Sequence, residues 1–195
     1  MTIGEFYKGQ GKGVSDFIYL FIGNGIGSGL FLNGKFYKGA HAASGEIGFM
    51  MIGDENKAKP NLGVFEANYG RFGIMDCLQK EKIPFQSDES LIHCLQSLRG
   101  LPKADSLLRQ ILWQWAKATI NIISVIDPEV IILSGEFIHL DEISQSQFLS
   151  FVEKYVPKLP ELKITKLGSK AGLYGAFHLA LDHFHIDGFK QINNP

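Results

Sequence analysis

The chain has 195 residues, of which 45% are hydrophobic and 20% charged, and its net charge at neutral pH is −1. This length suits one substantial domain, and the apolar share excludes an intrinsically disordered chain. The balanced charge argues against nucleic acid as a direct partner of this segment, because phosphate binding needs clustered Lys and Arg. Residues 1–10 lack the apolar core of a signal peptide, and no apolar run is long enough to span a membrane. We therefore expect a cytoplasmic location and no membrane contact.

Three short strands open the predicted fold. Residues 17–22 form an uninterrupted apolar run that is typical of a buried strand. Residues 30–32 and 35–37 are expected to form the next two strands, since an Asn-Gly turn signal at 33–34 joins them. Together these segments predict an antiparallel meander. Residues 45–52 are expected to be a further extended segment.

Helices and strands alternate in the rest of the chain. Apolar residues recur at helical spacing over 104–126, which predicts a long helix that ends before Pro128. The other predicted elements are helices at 66–79, 90–98, 141–155 and 169–183 and strands at 130–133 and 162–167. A meander followed by this alternation predicts an α/β domain with a mixed sheet flanked by helices, as in ribonuclease H-like folds.

Glycine occupies every second position of the first predicted hairpin, at Gly23, Gly25, Gly27 and Gly29. Without side chains, the backbone N–H groups of such a loop can approach an anion closely, so the hairpin is a candidate phosphate-binding site. The alternative is that the glycines only allow the hairpin to twist. A strand rather than a helix follows, so the motif is not the dinucleotide-binding fingerprint.

Several runs, taken in order and at their spacing, resemble the ROK family of bacterial sugar kinases and sugar-responsive repressors. They are GIGSG at 25–29, NGK at 33–35, YKG at 37–39, SGEIG at 44–48, DPEVIIL at 127–133 followed by Gly135, and GLYGA at 172–176. The resemblance covers nearly the whole chain and implies the carboxy-terminal lobe of an actin-like ATPase fold. We expect that lobe at 1–186, with a helical insertion at about 64–103 and a loose tail at 187–195. The resemblance also implies a homodimer.

The resemblance further implies a sugar pocket. In the family, the glutamate of the Gly-Glu-Ile-Gly run and another at the head of the next helix contact sugar hydroxyls, which assigns this role to Glu46 and Glu66. Gly45 and His41, close to the first of these runs, are further candidates for ligand contact. Carboxylates suit the role because they accept hydrogen bonds from neighbouring hydroxyls. The alternative for both glutamates is a surface charge or a helix start.

A nucleotide site and a zinc site are also features of the family. In family kinases the glycine hairpin contacts ATP phosphates, which here implies Gly23, Gly25, Gly27, Gly29 and Gly135. Many members hold a structural zinc through one histidine and three cysteines, but the matching positions carry Phe49, Lys57, Lys59 and Val64. Lysine and valine cannot replace a thiolate ligand. We therefore predict no zinc and no other metal site.

The chain shows no match to the family's first phosphate loop or to the Asn-Asp-Ala-Asn run that carries the catalytic aspartate. Asp16 and Asp54 lie in turn-like contexts, where Asp commonly caps or forms turns. Phosphoryl transfer by this chain alone is therefore not expected, and ATP with Mg²⁺ is expected only if the full-length protein is a kinase.

Two hypotheses about function remain. The first is the sugar-binding effector half of a transcriptional regulator, whose DNA contacts would belong to an amino-terminal domain outside this segment. The second is the carboxy-terminal half of a kinase that phosphorylates a hexose or glucoside with ATP. The missing catalytic and zinc residues favour the first hypothesis, and the retained glycine hairpin favours the second.

Overall fold

The computed structural model describes residues 1–86 and 88–192, with side chains described as far as residue 181. The strands of the described chain are β1 (Phe17–Ile22), β2 (Ile26–Leu32), β3 (Lys35–Tyr37), β4 (Val130–Gly135) and β5 (Glu161–Ile164). Its helices are α1 (Thr2–Lys8), α2 (Val64–Tyr69), α3 (Arg71–Glu81), α4 (Leu91–Ser97), α5 (Pro102–Ile126), α6 (Glu142–Glu153) and α7 (Lys170–Ile192).

The strands form one mixed sheet in the order β3-β2-β1-β4-β5. The first three strands pair antiparallel, whereas β4 is parallel to both β1 and β5. This confirms the predicted meander and mixed sheet. In the parallel pair Ile22 lies opposite Gly135, so the carboxyl ends of β1 and β4 meet at one edge of the sheet. Open α/β sheets commonly bind ligands at such an edge.

Alternate residues of the strands face two separate cores, as the period of two in a strand requires. On one face of β1, Ile18, Leu20 and Ile22 join the larger core, which also contains the fully buried Trp115 of α5. The other face carries the smaller cluster, whose buried members are Phe17, Tyr19, Phe31, Val130 and Ile132. Phe6 of α1 packs against that cluster. The sheet is therefore covered on one face by α5 and on the other by α1.

Two predicted elements of the first half differ in the structure. The 45–52 segment is not a strand, because Gly45 has φ +85° and the Ile47 N–H donates locally to the Gly45 carbonyl at 2.7 Å. A 3₁₀ turn, Ile47–Phe49, follows there. The helix expected at 66–79 is two helices, because Gly70 between α2 and α3 is extended with ψ 173°. Helical periodicity continued across that break, so the sequence pattern did not reveal it.

The two ends of the chain also differ from expectation. Helix α1 was not predicted, and its fully buried Glu5 accepts hydrogen bonds from the Gln10 N–H at 2.9 Å and from the Thr165 hydroxyl. Helix α7 continues to Ile192, so residues 187–192, expected in the loose tail, are helical. Residues 193–195 lie outside the described residues.

Candidate functional site

The turn between β1 and β2 is held by its own backbone and by α3. The Gly23 N–H donates to the Gly25 carbonyl at 2.9 Å, and the Gly23 carbonyl accepts from the Arg71 N–H at 2.8 Å. A side chain at Gly29 would collide with Thr2 of α1, whereas one at Gly27 would meet nothing within 4 Å. The alternating glycines therefore lie beside different parts of the protein and do not form one continuous surface without side chains.

Glu66 lies in the first turn of α2 and reaches this hairpin. Its Oε2 accepts a hydrogen bond from the Ile26 N–H at 2.8 Å. A side chain at Gly48 would place its Cβ 3.1 Å from the same oxygen, so only glycine leaves the carboxylate this space. The other oxygen, Oε1, accepts no hydrogen bond from the described residues. The half-buried carboxylate is thus fixed at one oxygen and open at the other.

Glu46 lies on the turn that faces this region. It is exposed and precedes the 3₁₀ turn, and its carbonyl accepts from the Phe49 N–H at 3.1 Å. Gly45 is required beside it, because its φ is positive and a side chain would collide with the Ser28 carbonyl. The Ser28 N–H donates to the Gly45 carbonyl at 2.7 Å, and the Phe65 N–H donates to the Met50 carbonyl at 3.1 Å. These bonds fix the turn against both β2 and α2, the two elements that hold the Glu66 carboxylate.

His41 and Phe49 are less constrained. His41 is exposed in the loop after β3, and no hydrogen bond or ion pair within the described residues joins it to Glu46 or Glu66. Phe49, at the family's histidine position, has 52% of its surface exposed. Its ring therefore presents an apolar face to solvent next to Gly48.

A cavity of about 540 Å³ lies where the carboxyl ends of β1 and β4 meet. Its wall includes Gly23, Asn24, Arg71, Gly135, Glu136 and Ser169. Gly135 has φ +74°, and a side chain there would collide with the Ile22 backbone, so this corner also requires glycine. Of the glycines assigned to nucleotide phosphates, Gly23 and Gly135 line this cavity, whereas Gly25 lies beside Glu66 and Gly29 beneath Thr2.

An ion pair with little solvent exposure lies in the wall of the cavity. Arg71 Nη1 is 3.1 Å from Glu136 Oε1, and the two side chains are only 15% and 8% exposed. The Ser90 hydroxyl donates to Glu136 Oε2 at 2.6 Å, and Arg71 Nη2 donates to the Glu89 carbonyl at 2.7 Å. Both charges are thus compensated within the protein.

Sequence reasoning missed Arg71 and Glu136. The available signal was a charged residue directly after the glycine that ends a buried parallel strand, where binding sites concentrate. Their pairing was not visible, since 65 positions separate them along the chain.

One of the four positions that carry zinc ligands in many family members, Lys57, forms a salt bridge here. Lys57 Nζ and Lys80 Nζ each lie 3.0 Å from Asp76 Oδ2, and the hydrogen bond from Lys57 is the main reason that the pKa of Asp76 is lowered. Lys57 is therefore paired and half-buried rather than merely solvated. Within the part of the chain that the structure describes, no group of three or more His, Cys, Asp or Glu residues could hold a metal ion.

Asp54 caps a turn as expected, and Asp16 supports the turn between β2 and β3. Asp54 caps a 3₁₀ turn by accepting from the Asn56 N–H at 3.0 Å, and Asp16 accepts from the Asn33 N–H at 2.8 Å.

Among residues 1–86 and 88–192, no helix has both the length and the apolar character needed to cross a membrane.

A family model for the ROK family matches residues 1–183. The chain belongs to the ROK family. It is 28% identical over 190 residues to the xylose repressor of Bacillus subtilis, covering 93% of this chain and 48% of that protein. It is also 26% identical over 194 residues to the N-acetylmannosamine kinase of Haemophilus influenzae, covering 93% of this chain and 60% of that protein. The chain thus spans 48% and 60% of the lengths of these two ROK relatives.

Solved structures confirm the expected actin-like ATPase fold, with its mixed sheet flanked by helices. The ROK hexokinase from Thermus thermophilus superposes with a TM-score of 0.76 at 23% identity, covering 89% of this chain and 59% of that chain. ROK relatives include both repressors and kinases, so family membership does not choose between the two hypotheses.

Proposed function

We propose that this chain is the sugar-binding effector half of a ROK transcriptional regulator and that it is not catalytic by itself. The supporting observation is the Glu66 carboxylate, which the Ile26 N–H holds at Oε2 while Oε1 remains able to accept from a ligand. Glu46, on the turn packed against the same elements, supplies the second carboxylate. Adjacent hydroxyls of a sugar donate to such groups, and hydrogen bonds to charged acceptors are strong.

Sugar binding would restrain the turn at residues 45–49. This turn rests on β2 and α2 through backbone hydrogen bonds, so a sugar that bridges Glu46 and Glu66 would hold these elements together. The Phe49 ring offers an apolar surface to the sugar's C–H groups. In a longer protein with two lobes, sugar binding would shift the equilibrium between two lobe orientations only if the sugar binds one orientation more tightly than the other. We also propose that the full-length protein is a homodimer and that it binds DNA through a part that lies outside this segment.

The alternative function, sugar phosphorylation, has less support. The cavity beside the glycine hairpin would have to hold ATP, but a buried carboxylate, Glu136, lies in its wall. Among the described residues that line it, Arg71 is the only Lys or Arg, and Glu136 already neutralises it. These residues do not fit a triphosphate.

Calorimetric titration of the chain with D-xylose, D-glucose, N-acetylmannosamine and a β-glucoside tests the sugar site. For the sugar that binds best, Glu66→Ala and Glu46→Ala should each raise Kd about tenfold or more, because each removes hydrogen bonds to a charged acceptor. Glu55→Ala is the matched control, since Glu55 is an exposed glutamate of the neighbouring loop. Unchanged binding in both site variants would show that the pocket is wrongly assigned.

A further inference from the structure

The cavity at the carboxyl ends of β1 and β4 lies where α/β sheets commonly bind anions, but its Arg71 guanidinium is already paired with a carboxylate. The Arg71 guanidinium is the group best suited to bind phosphate, since its planar N–H groups match such oxygens. Here Nη1 faces Glu136 Oε1 at 3.1 Å, and Nη2 donates to the Glu89 carbonyl at 2.7 Å. The guanidinium is therefore already bound to an anion that belongs to the chain.

Some backbone donors close to the cavity are also engaged. In the glycine hairpin, the Gly23 N–H donates to the Gly25 carbonyl and the Ile26 N–H to Glu66. At the start of α7, the Lys170 N–H donates to the Leu167 carbonyl at 3.1 Å and the Ala171 N–H to the Gly168 carbonyl at 3.2 Å. An incoming polyphosphate would have to displace these bonds as well as face the Glu136 carboxylate.

The Glu136 carboxylate is held firmly in this position. Its side chain is 8% exposed, one oxygen contacts Arg71, and the other accepts from the Ser90 hydroxyl at 2.6 Å. Ser90 is the N-cap of α4, and Arg71 is the first residue of α3, so two helices fix the carboxylate. Turning it away from the cavity would leave Arg71 without its counter-ion in a largely buried site, which is unfavourable.

We propose that Glu136 is an internal counter-anion that occupies the anion site of this cavity and prevents polyphosphates from binding beside the glycine hairpin. The cavity then selects against nucleoside triphosphates. This inference concerns the cavity and not the sugar pocket at Glu66, so either one can fail while the other holds. The phosphate-contact role expected for Gly23 and Gly135 is tested by the same experiment.

The probe is inorganic triphosphate, titrated calorimetrically into the 195-residue chain. Glu136→Ala and Glu136→Gln should each bind triphosphate about tenfold or more tightly than the parent, because a like charge at the site is removed. Glu136→Gln retains an oxygen that accepts from Arg71 and places an amide N–H beside the Ser90 hydroxyl, which can accept from it. This variant therefore tests the charge even if the alanine variant fails to fold. Adding Arg71→Ala to Glu136→Gln should abolish the gain.

Glu142→Ala is the matched control, because it removes one negative charge from the exposed first turn of α6. Its triphosphate affinity should equal that of the parent. The proposal is overturned if the parent binds triphosphate as tightly as the Glu136 variants, or if neither Glu136 variant gains affinity. It is also overturned if Glu142→Ala gains equally, or if the gain survives loss of Arg71.

Discussion

The two regions beside the glycine hairpin each contain a glutamate with restricted exposure, but the two carboxylates are stabilised differently. Glu66 accepts one backbone N–H and keeps an oxygen that no described residue uses. Glu136 pairs with Arg71 and also accepts from Ser90. The negative charge of a carboxylate that accepts from a neutral N–H is not compensated, so it can attract a ligand. The negative charge of a carboxylate paired with a guanidinium is already compensated. The partner, more than the residue type, therefore decides which glutamate can bind.

The largest expected effect is on stability in the cavity region. Glu136→Ala leaves the Arg71 guanidinium without its counter-ion at 15% exposure, and should lower the free energy of unfolding by about 3 kcal/mol. Glu66→Ala loses one hydrogen bond from the Ile26 N–H and should lower it by about 1 kcal/mol. Urea denaturation of both variants measures the difference. Equal losses would remove the distinction between the two carboxylates.

A smaller effect is expected in the backbone that supports the proposed sugar pocket. Gly45→Ala forces a positive φ on alanine and a collision with the Ser28 carbonyl, and should destabilise the protein by about 2 kcal/mol. Gly27→Ala is the control, because a side chain there meets nothing within 4 Å, and should change stability by no more than about 1 kcal/mol. Urea denaturation compares the two. If Gly27→Ala were as harmful as Gly45→Ala, the turn would not be the constrained part of this region.

The smallest effect concerns the partly exposed carboxylate of Asp141, whose ion pair is compared with that of the buried Glu136. Hydrogen bonds from Arg99 are the main reason that the pKa of Asp141 is lowered to about 2. Because the folded-state pKa lies below the ordinary value of 3.8, this stabilisation is present above about pH 4 and is lost as the pH falls towards 2. The two side chains are 35% and 37% exposed, so the pair contributes about 1 kcal/mol or less.

Asp141→Asn tests this pair, because asparagine retains the cap hydrogen bond to the Ser144 N–H. The parent should exceed the variant in unfolding free energy at pH 6, and the difference should shrink as the pH falls from about 4 and vanish below pH 2. A difference that does not depend on pH would contradict the assignment. A difference at pH 6 as large as that for Glu136→Ala would show that burial does not distinguish the two ion pairs.

Local sequence pattern predicted much of the fold. β1 and β3 begin and end where the apolar run and the Asn-Gly turn placed them, and α5 differs from its predicted range by two residues at its start. Asp54 forms a turn as expected, because its side chain accepts from the backbone N–H two residues on. The ROK resemblance also followed from ordered local motifs.

Elements that depend on distant partners were missed. The 45–52 segment was expected to be extended, but the Gly45 carbonyl bonds to Ser28 of β2, and this contact stabilises a turn. Helix α1 has no side-chain cap, and its buried Glu5 bonds to Thr165, which lies 160 positions away. Neither contact leaves a periodic signal in the surrounding residues.

The sequence by itself determined the order of the five strands and of most helices, the family, and the glutamates at 46 and 66 as candidates. Only the tertiary structure decided that the Glu66 carboxylate meets a backbone N–H 40 positions away and that Glu136 pairs with Arg71 across 65 positions. The physical reason is that side-chain periodicity encodes which face of an element is buried. The partner of a buried charge, by contrast, is set by how separate elements pack, and that partner determines whether the charge can reach a ligand.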